Sequence, residues 1–111
     1  MHNQEWEIAY YIAQNGHSPF RDWFETLRDF DARVIIHARL DRLGLGNFGK
    51  CESLGLGIYE MKIYYGPGYR IYFARAGSKV ILLLCGGDKS TQSEDVRTAY
   101  RYWQNYKEQR S

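Results

Sequence analysis

The sequence predicts an α+β domain with the order β-α-α-β-β-β-α, an antiparallel sheet meander covered by helices. Three observations lead there. Apolar residues alternate along 5–13, 57–65 and 69–75, the period of strands half-buried in a sheet. They recur at helical spacing along 20–43 and 96–106. The last three strands are separated by short glycine-containing turns, which join antiparallel neighbours. At 111 residues the chain is read as one domain, 1–111. A chain of this size buries roughly 65% of its unfolded surface, enough for a core without disulfides.

In the first strand Trp6, Ile8, Tyr10 and Ile12 fall on one face, Glu5, Glu7 and Tyr11 on the other, and Asn15-Gly16-His17 ends it. Ser18 then caps a helix with Pro19 at its first position. Arg21 stands where a capping box has Glu, so the cap is partial. Phe20, Trp23, Phe24, Leu27 and Phe30 make its apolar stripe. A second helix starts near Asp31, with Ala32, Ile36, Leu40 and Leu43 inward and Arg39 and Arg42 outward. Gly44, Gly46 and Gly49 close the helical region.

The second half reads as strands. Tyr59, Met61, Ile63 and Tyr65 share one face; Ile58, Glu60, Lys62 and Tyr64 share the other. Gly66-Pro67-Gly68 is a tight turn. On the return strand Ile71 and Phe73 point one way, Arg70 and Tyr72 the other, and Ala76-Gly77-Ser78 turns the chain again. Residues 80–85 are apolar on both faces, as in a central strand covered on two sides. Gly86-Gly87-Asp88-Lys89-Ser90 reads as a loop. Thr91 and Glu94 fit a capping box that opens the last helix, and Val96, Ala99, Tyr100, Trp103 and Tyr106 form its stripe. Because sheet and helices are both amphipathic, the helices are expected to cover one face of the sheet.

Composition excludes several classes. Aromatics make up 16% of the chain, which rules out global disorder. The apolar run at 80–85 is too short to span a membrane. The start Met1-His2-Asn3-Gln4-Glu5 lacks the order of a secretory signal, so a cytoplasmic location is expected, with Cys51 and Cys85 as reduced thiols. There is no Walker loop, HExxH, GxSxG or dinucleotide fingerprint. His2, His17 and His37 are scattered, so no metal and no cofactor is expected.

The net charge of +2 hides an asymmetry. Residues 1–56 carry a net −2 and residues 57–111 a net +4. The stretch 61–89 holds Lys62, Arg70, Arg75, Lys79 and Lys89 against Asp88 alone. A local positive field of this kind suits an anionic partner, and equally suits a solvated sheet surface. Glu60, Lys62, Arg70 and Tyr72 should project together from two adjacent strands. One reading of that cluster is a cross-strand ion pair with Glu60 as the carboxylate. The other is a phosphate site, with Arg70 as a planar fork, Lys62 as a compact charge and Lys89 beside the amides that open the last helix. Tyr72, Tyr64 and Tyr69 are candidates for stacking on bases, and Arg75 for added contact to a nucleic acid.

The segment from Gly57 through Tyr64-Tyr65-Gly66-Pro67-Gly68-Tyr69-Arg70 to Phe73 resembles the phage-derived, HigB-like branch of the RelE/ParE toxin superfamily. So does Leu82-Leu83-Leu84-Cys85-Gly86-Gly87-Asp88-Lys89-Ser90 with the following helix. The resemblance covers nearly the whole chain and implies a RelE-like fold and the toxin of a type II toxin–antitoxin system. It implies an mRNA endoribonuclease, often ribosome-dependent, in which a 2′-hydroxyl attacks the adjacent phosphate. Lys62 would assist proton transfer or stabilise charge, Arg70 would clamp the scissile phosphate, and Lys89 would contact phosphate. Glu60 stands where the best-studied RelE pattern has lysine, and would serve as general base instead; the tyrosine of that pattern near the last helix has no counterpart. The implied partners are mRNA, the ribosome and a cognate antitoxin of helix-turn-helix, HigA-like type. ParE-like relatives inhibit DNA gyrase on the same scaffold, and an inactive antitoxin-binding module is a further alternative.

Overall fold

A computed structural model describes residues 5–110. The elements are β1 (Glu7–Tyr10), α1 (Pro19–Thr26), α2 (Phe30–Gly44), β2 (Cys51–Gly55), β3 (Ile58–Ile63), β4 (Tyr69–Gly77), β5 (Val80–Asp88), a single 3-10 turn (Lys89–Thr91) and α3 (Gln92–Gln109). The class is α+β, and the strands form one mixed sheet in the order β1-β5-β4-β3-β2. Strands β2 to β5 are the antiparallel meander, whereas β1 joins β5 in parallel. Among the described residues no helix is long and apolar enough to cross a membrane.

Three features differ from the sequence reading. The first is β2, a strand the reading lacks: Cys51-Glu52-Ser53-Leu54-Gly55 buries little, and backbone pairing to β3 defines it. The second is helical cover, which lies on both faces of the sheet. Phe20, Ala32, Ile36 and Leu43 of α1 and α2 pack on Met61, Ile63, Ile71, Phe73, Ile81 and Leu83. Ala99 and Trp103 of α3 pack on Ile58, Tyr72, Ala74, Leu82 and Leu84 of the opposite face. Tyr11, expected with the polar residues, is therefore buried, while Ile12 and Phe30 of the expected apolar stripes are exposed. The third is the segment at Gly86 and Gly87, which continues β5 rather than forming a loop. Both glycines allow close approach. A Cβ at Gly86 would overlap the Trp23 ring, and one at Gly87 would overlap the Asp95 carboxylate.

Local signals set the helix ends. The Ser18 hydroxyl accepts from the Arg21 amide at 3.2 Å. Asp29 caps α2 by accepting from the Ala32 amide at 3.2 Å. The expected Thr91–Glu94 box does not form. Asp88 caps the 3-10 turn instead, accepting from the Ser90 amide at 2.8 Å, and Thr91 makes no side-chain cap bond. Helix α3 is tied to the β2–β3 turn by Trp103 Nε1, which donates to the Leu56 carbonyl at 2.8 Å, and to the end of β2 by the Tyr100 hydroxyl, which donates to the Leu54 carbonyl.

Candidate functional site

Strand register decides which cations meet. Lys62 lies directly opposite Arg70 in the β3–β4 ladder, and Arg70 lies opposite Gly87 in the β4–β5 ladder. Lys89 follows at once where β5 ends. The turn at Gly66-Pro67-Gly68 folds over this corner with φ of +57° at Gly66 and +84° at Gly68, conformations that glycine adopts without strain. A Cβ on Gly68 would sit 3.8 Å from Lys89 Cβ and 3.9 Å from Arg70 Nη1, so the two cations flank the turn. The result is a cleft of about 480 Å³ lined by Lys62, Arg70, Lys89 and the turn, with no carboxylate in its wall.

Beneath the cleft lies a buried polar group. Glu60 is 2% exposed, and its Oε2 accepts from the Tyr72 hydroxyl at 3.0 Å and from Gln92 Nε2 at 2.8 Å. Arg70 Nε stands 3.6 Å from the same oxygen, buried and without a hydrogen-bond partner. The Arg70 side chain is 11% exposed, and its Nη1 reaches the Gly68 carbonyl at 3.4 Å. Arg70 is thus held between a buried carboxylate below and the cleft above. Burial first, then the hydrogen bond to Glu60, pushes the Tyr72 hydroxyl well above the usual phenol range. It remains a donor at every physiological pH.

Lys62 is held less firmly. It meets Glu52 at 3.7 Å, with the lysine 32% and the glutamate 65% exposed. Such a pair contributes about 0–1 kcal/mol, so an entering anion can displace Glu52. Lys89 is exposed on the rim. Tyr64, 79% exposed, lines the same cleft and is free to meet a base.

Four of the residues expected at an RNA site are placed otherwise. Tyr72 is fully buried and cannot stack on a nucleotide. Arg75 lies on the opposite sheet face, its guanidinium 4.8 Å from the Trp6 ring centroid and 5.2 Å from that of Phe48. Glu60 is closed off from solvent and does not line the cleft; its Oε2 accepts from Tyr72 and Gln92 and lies behind Arg70, a placement that suits bracing Arg70. Tyr69, the third stacking candidate, is also buried, with its ring edge-on to Trp23.

Gln92 and Glu52 were not foreseen. Gln92 carries no sequence signal, because its role depends on where α3 crosses the sheet. Glu52 would have followed from β2, which sets it opposite Glu60. Two carboxylates on facing positions repel, and here one turns inward to Tyr72 while the other turns outward to Lys62.

A comparison with known proteins bears on kinship. The chain is 44% identical over 80 residues to an uncharacterized protein of Haemophilus influenzae, a match covering 72% of this chain and 81% of the relative. The two proteins belong to one family. No family model matches the chain.

The first turn of α3, which follows the 3-10 turn beside the cleft, supplies a pH-sensitive group. Burial raises the Asp95 carboxyl above its ordinary value; the Thr91 hydroxyl, donating at 2.5 Å, opposes this, and Glu94 and Asp88 add to it. A folded pKa above the unfolded one means that the folded state holds the proton more tightly. Asp95 therefore removes stability as pH rises from the ordinary value of 3.8 through the raised one. Asp95→Asn keeps an acceptor for Thr91. It is expected to raise the urea midpoint at about pH 7, with the gain vanishing as pH falls below the ordinary carboxylate value. A gain that persisted at the acidic end would refute this origin.

Proposed function

We propose that the protein is an RNA-cleaving toxin of the RelE/ParE kind, acting at the cleft of Lys62, Arg70 and Lys89. One observation carries the reading. Three cations from three segments face a carboxylate-free cleft, and the innermost is braced from behind by Glu60. An anion with several oxygens, such as an RNA phosphate, satisfies that arrangement, and a plain cross-strand ion pair does not require it. Tyr64 beside the cations suits a nucleotide rather than an inorganic ion.

The chemistry is transfer of the phosphodiester to its own 2′-oxygen. The 2′-oxygen bonds to phosphorus and the bond from phosphorus to the 5′-oxygen breaks, leaving a 2′,3′-cyclic phosphate. The 2′-hydroxyl proton passes to water. The departing 5′-oxygen takes a proton from the Lys89 ammonium, which water then restores. Arg70 and Lys62 stabilise the extra negative charge on the phosphoryl oxygens in the transition state. A cognate antitoxin would present an acidic segment to the same cleft, an attraction that salt weakens.

The test is to express the protein briefly in cells without its antitoxin and map RNA ends. New 5′-hydroxyl ends matched by 2′,3′-cyclic phosphate ends are expected within minutes of induction. Intact mRNA accompanied by a DNA-damage response would overturn the reading in favour of a gyrase inhibitor. Normal growth with intact RNA would reduce the protein to an antitoxin-binding module.

A further inference from the structure

Next to the first cleft lies a second, of about 260 Å³, whose charged lining is Arg39, Arg42, Lys50 and Lys62, again with no carboxylate in the wall. Lys62 and Tyr64 line both clefts. Arg39 and Arg42 come from the outer side of α2, one turn apart, and Lys50 directly precedes β2. Like charges at that helical spacing cost helix stability, and a third cation beside them adds to the repulsion. Arg39 is nevertheless held in place, its Nη1 donating to the Lys62 carbonyl at 3.4 Å. Of the two nearby acids, Asp41 meets His37 at 3.5 Å and Glu52 meets Lys62 at 3.7 Å, and neither lines this cleft.

We infer that single-stranded RNA crosses both clefts, with the scissile phosphate in the first, the neighbouring phosphate among Arg39, Arg42 and Lys50, and the base between them on Tyr64. This rests on reading the first cleft as the RNA site and extends it to a path along the molecule. The order cation, exposed ring, cation matches the order phosphate, base, phosphate along a strand. An acidic peptide would be attracted by the same charges but has no counterpart for the ring. The second cleft contributes affinity and direction to the strand; of its cations only the shared Lys62 takes part in the chemistry, and Arg39, Arg42 and Lys50 serve binding alone.

The probes are 2′-O-methyl RNAs, which bind without being cleaved. A dinucleotide has one phosphate and fills the first cleft; a hexanucleotide reaches both. Binding is read by fluorescence anisotropy across a range of salt for the wild type and the Arg42→Ala/Lys50→Ala variant. Both altered side chains are exposed, so the thermal midpoint should not move. For the hexanucleotide the variant is expected to bind about tenfold more weakly, and its logarithmic salt slope should flatten by about 0.7 for each phosphate it no longer neutralises. For the dinucleotide it should match the wild type. A variant that keeps the full hexanucleotide affinity and slope overturns the second cleft and leaves the first untouched. A wild type that binds neither RNA overturns the first cleft and the path with it. If a hexaglutamate peptide binds and is weakened by the double substitution while the RNAs are not, the second cleft belongs to an acidic protein partner and the inference falls.

Discussion

Arg70→Ala is expected to lower RNA cleavage by about 10²–10³-fold, the usual cost of deleting one preorganised donor from a transition-state site. The fall should lie mainly in kcat. Lys62 and Lys89 still attract the phosphate, whereas the fork that meets the developing charge is gone. Arg70→Lys restores a charge but not the planar pair of donors, so it should recover only part of the rate. The alanine variant also leaves Glu60 buried without its cation, although Tyr72 and Gln92 continue to donate to it. A loss of about 1–3 kcal/mol in stability is expected, and circular dichroism at the assay temperature separates unfolding from inactivity. An Arg70→Ala protein that is folded and as active as the wild type would remove Arg70 from the mechanism.

The cleft was legible because strand alternation is a strong signal. A hairpin with a short turn sets residue 62 opposite residue 70, and any sheet built that way brings the two cations together. Lys89 was placed near them from its position after the apolar strand, even though that strand runs on to Asp88. What the pattern could not show was depth. Glu60 and Tyr72 alternate with core residues and carry polar atoms, so they read as a solvent face. They are buried because α3 crosses above them, and they satisfy each other there. The same blindness hid β2, an edge strand with mostly exposed side chains and no apolar rhythm. Gly86 and Gly87 misled in the opposite sense. Paired glycines suggest a turn, yet here they make room for Trp23 on one face and Asp95 on the other. In each case the deciding fact is the meeting of distant segments, which periodicity does not encode.

Glu60→Ala should be the most damaging single substitution to the fold near the cleft. It leaves the Arg70 guanidinium, 11% exposed, without a counter-charge and the wholly buried Tyr72 hydroxyl without an acceptor. Removing one partner of a buried pair costs about 3–5 kcal/mol, a large share of the roughly 5–15 kcal/mol that holds a domain together. For a chain near this size each kcal/mol moves the thermal midpoint by about 4–8 °C, so a drop of about 12 °C or more is expected. Glu60→Gln keeps an acceptor for Tyr72 and sheds the charge, and should cost less. The two substitutions also separate positioning from proton transfer. If Glu60 only braces Arg70, the glutamine variant retains a measurable fraction of wild-type cleavage with an unchanged pH profile. If Glu60 were the general base, that variant would be folded and inactive. Because each member of the pair is costly chiefly through the partner it strands, Glu60→Ala combined with Arg70→Ala should destabilise by less than the two single losses added together. Additive losses would mean that the two side chains stabilise the fold independently and that Glu60 does not set the position of the guanidinium.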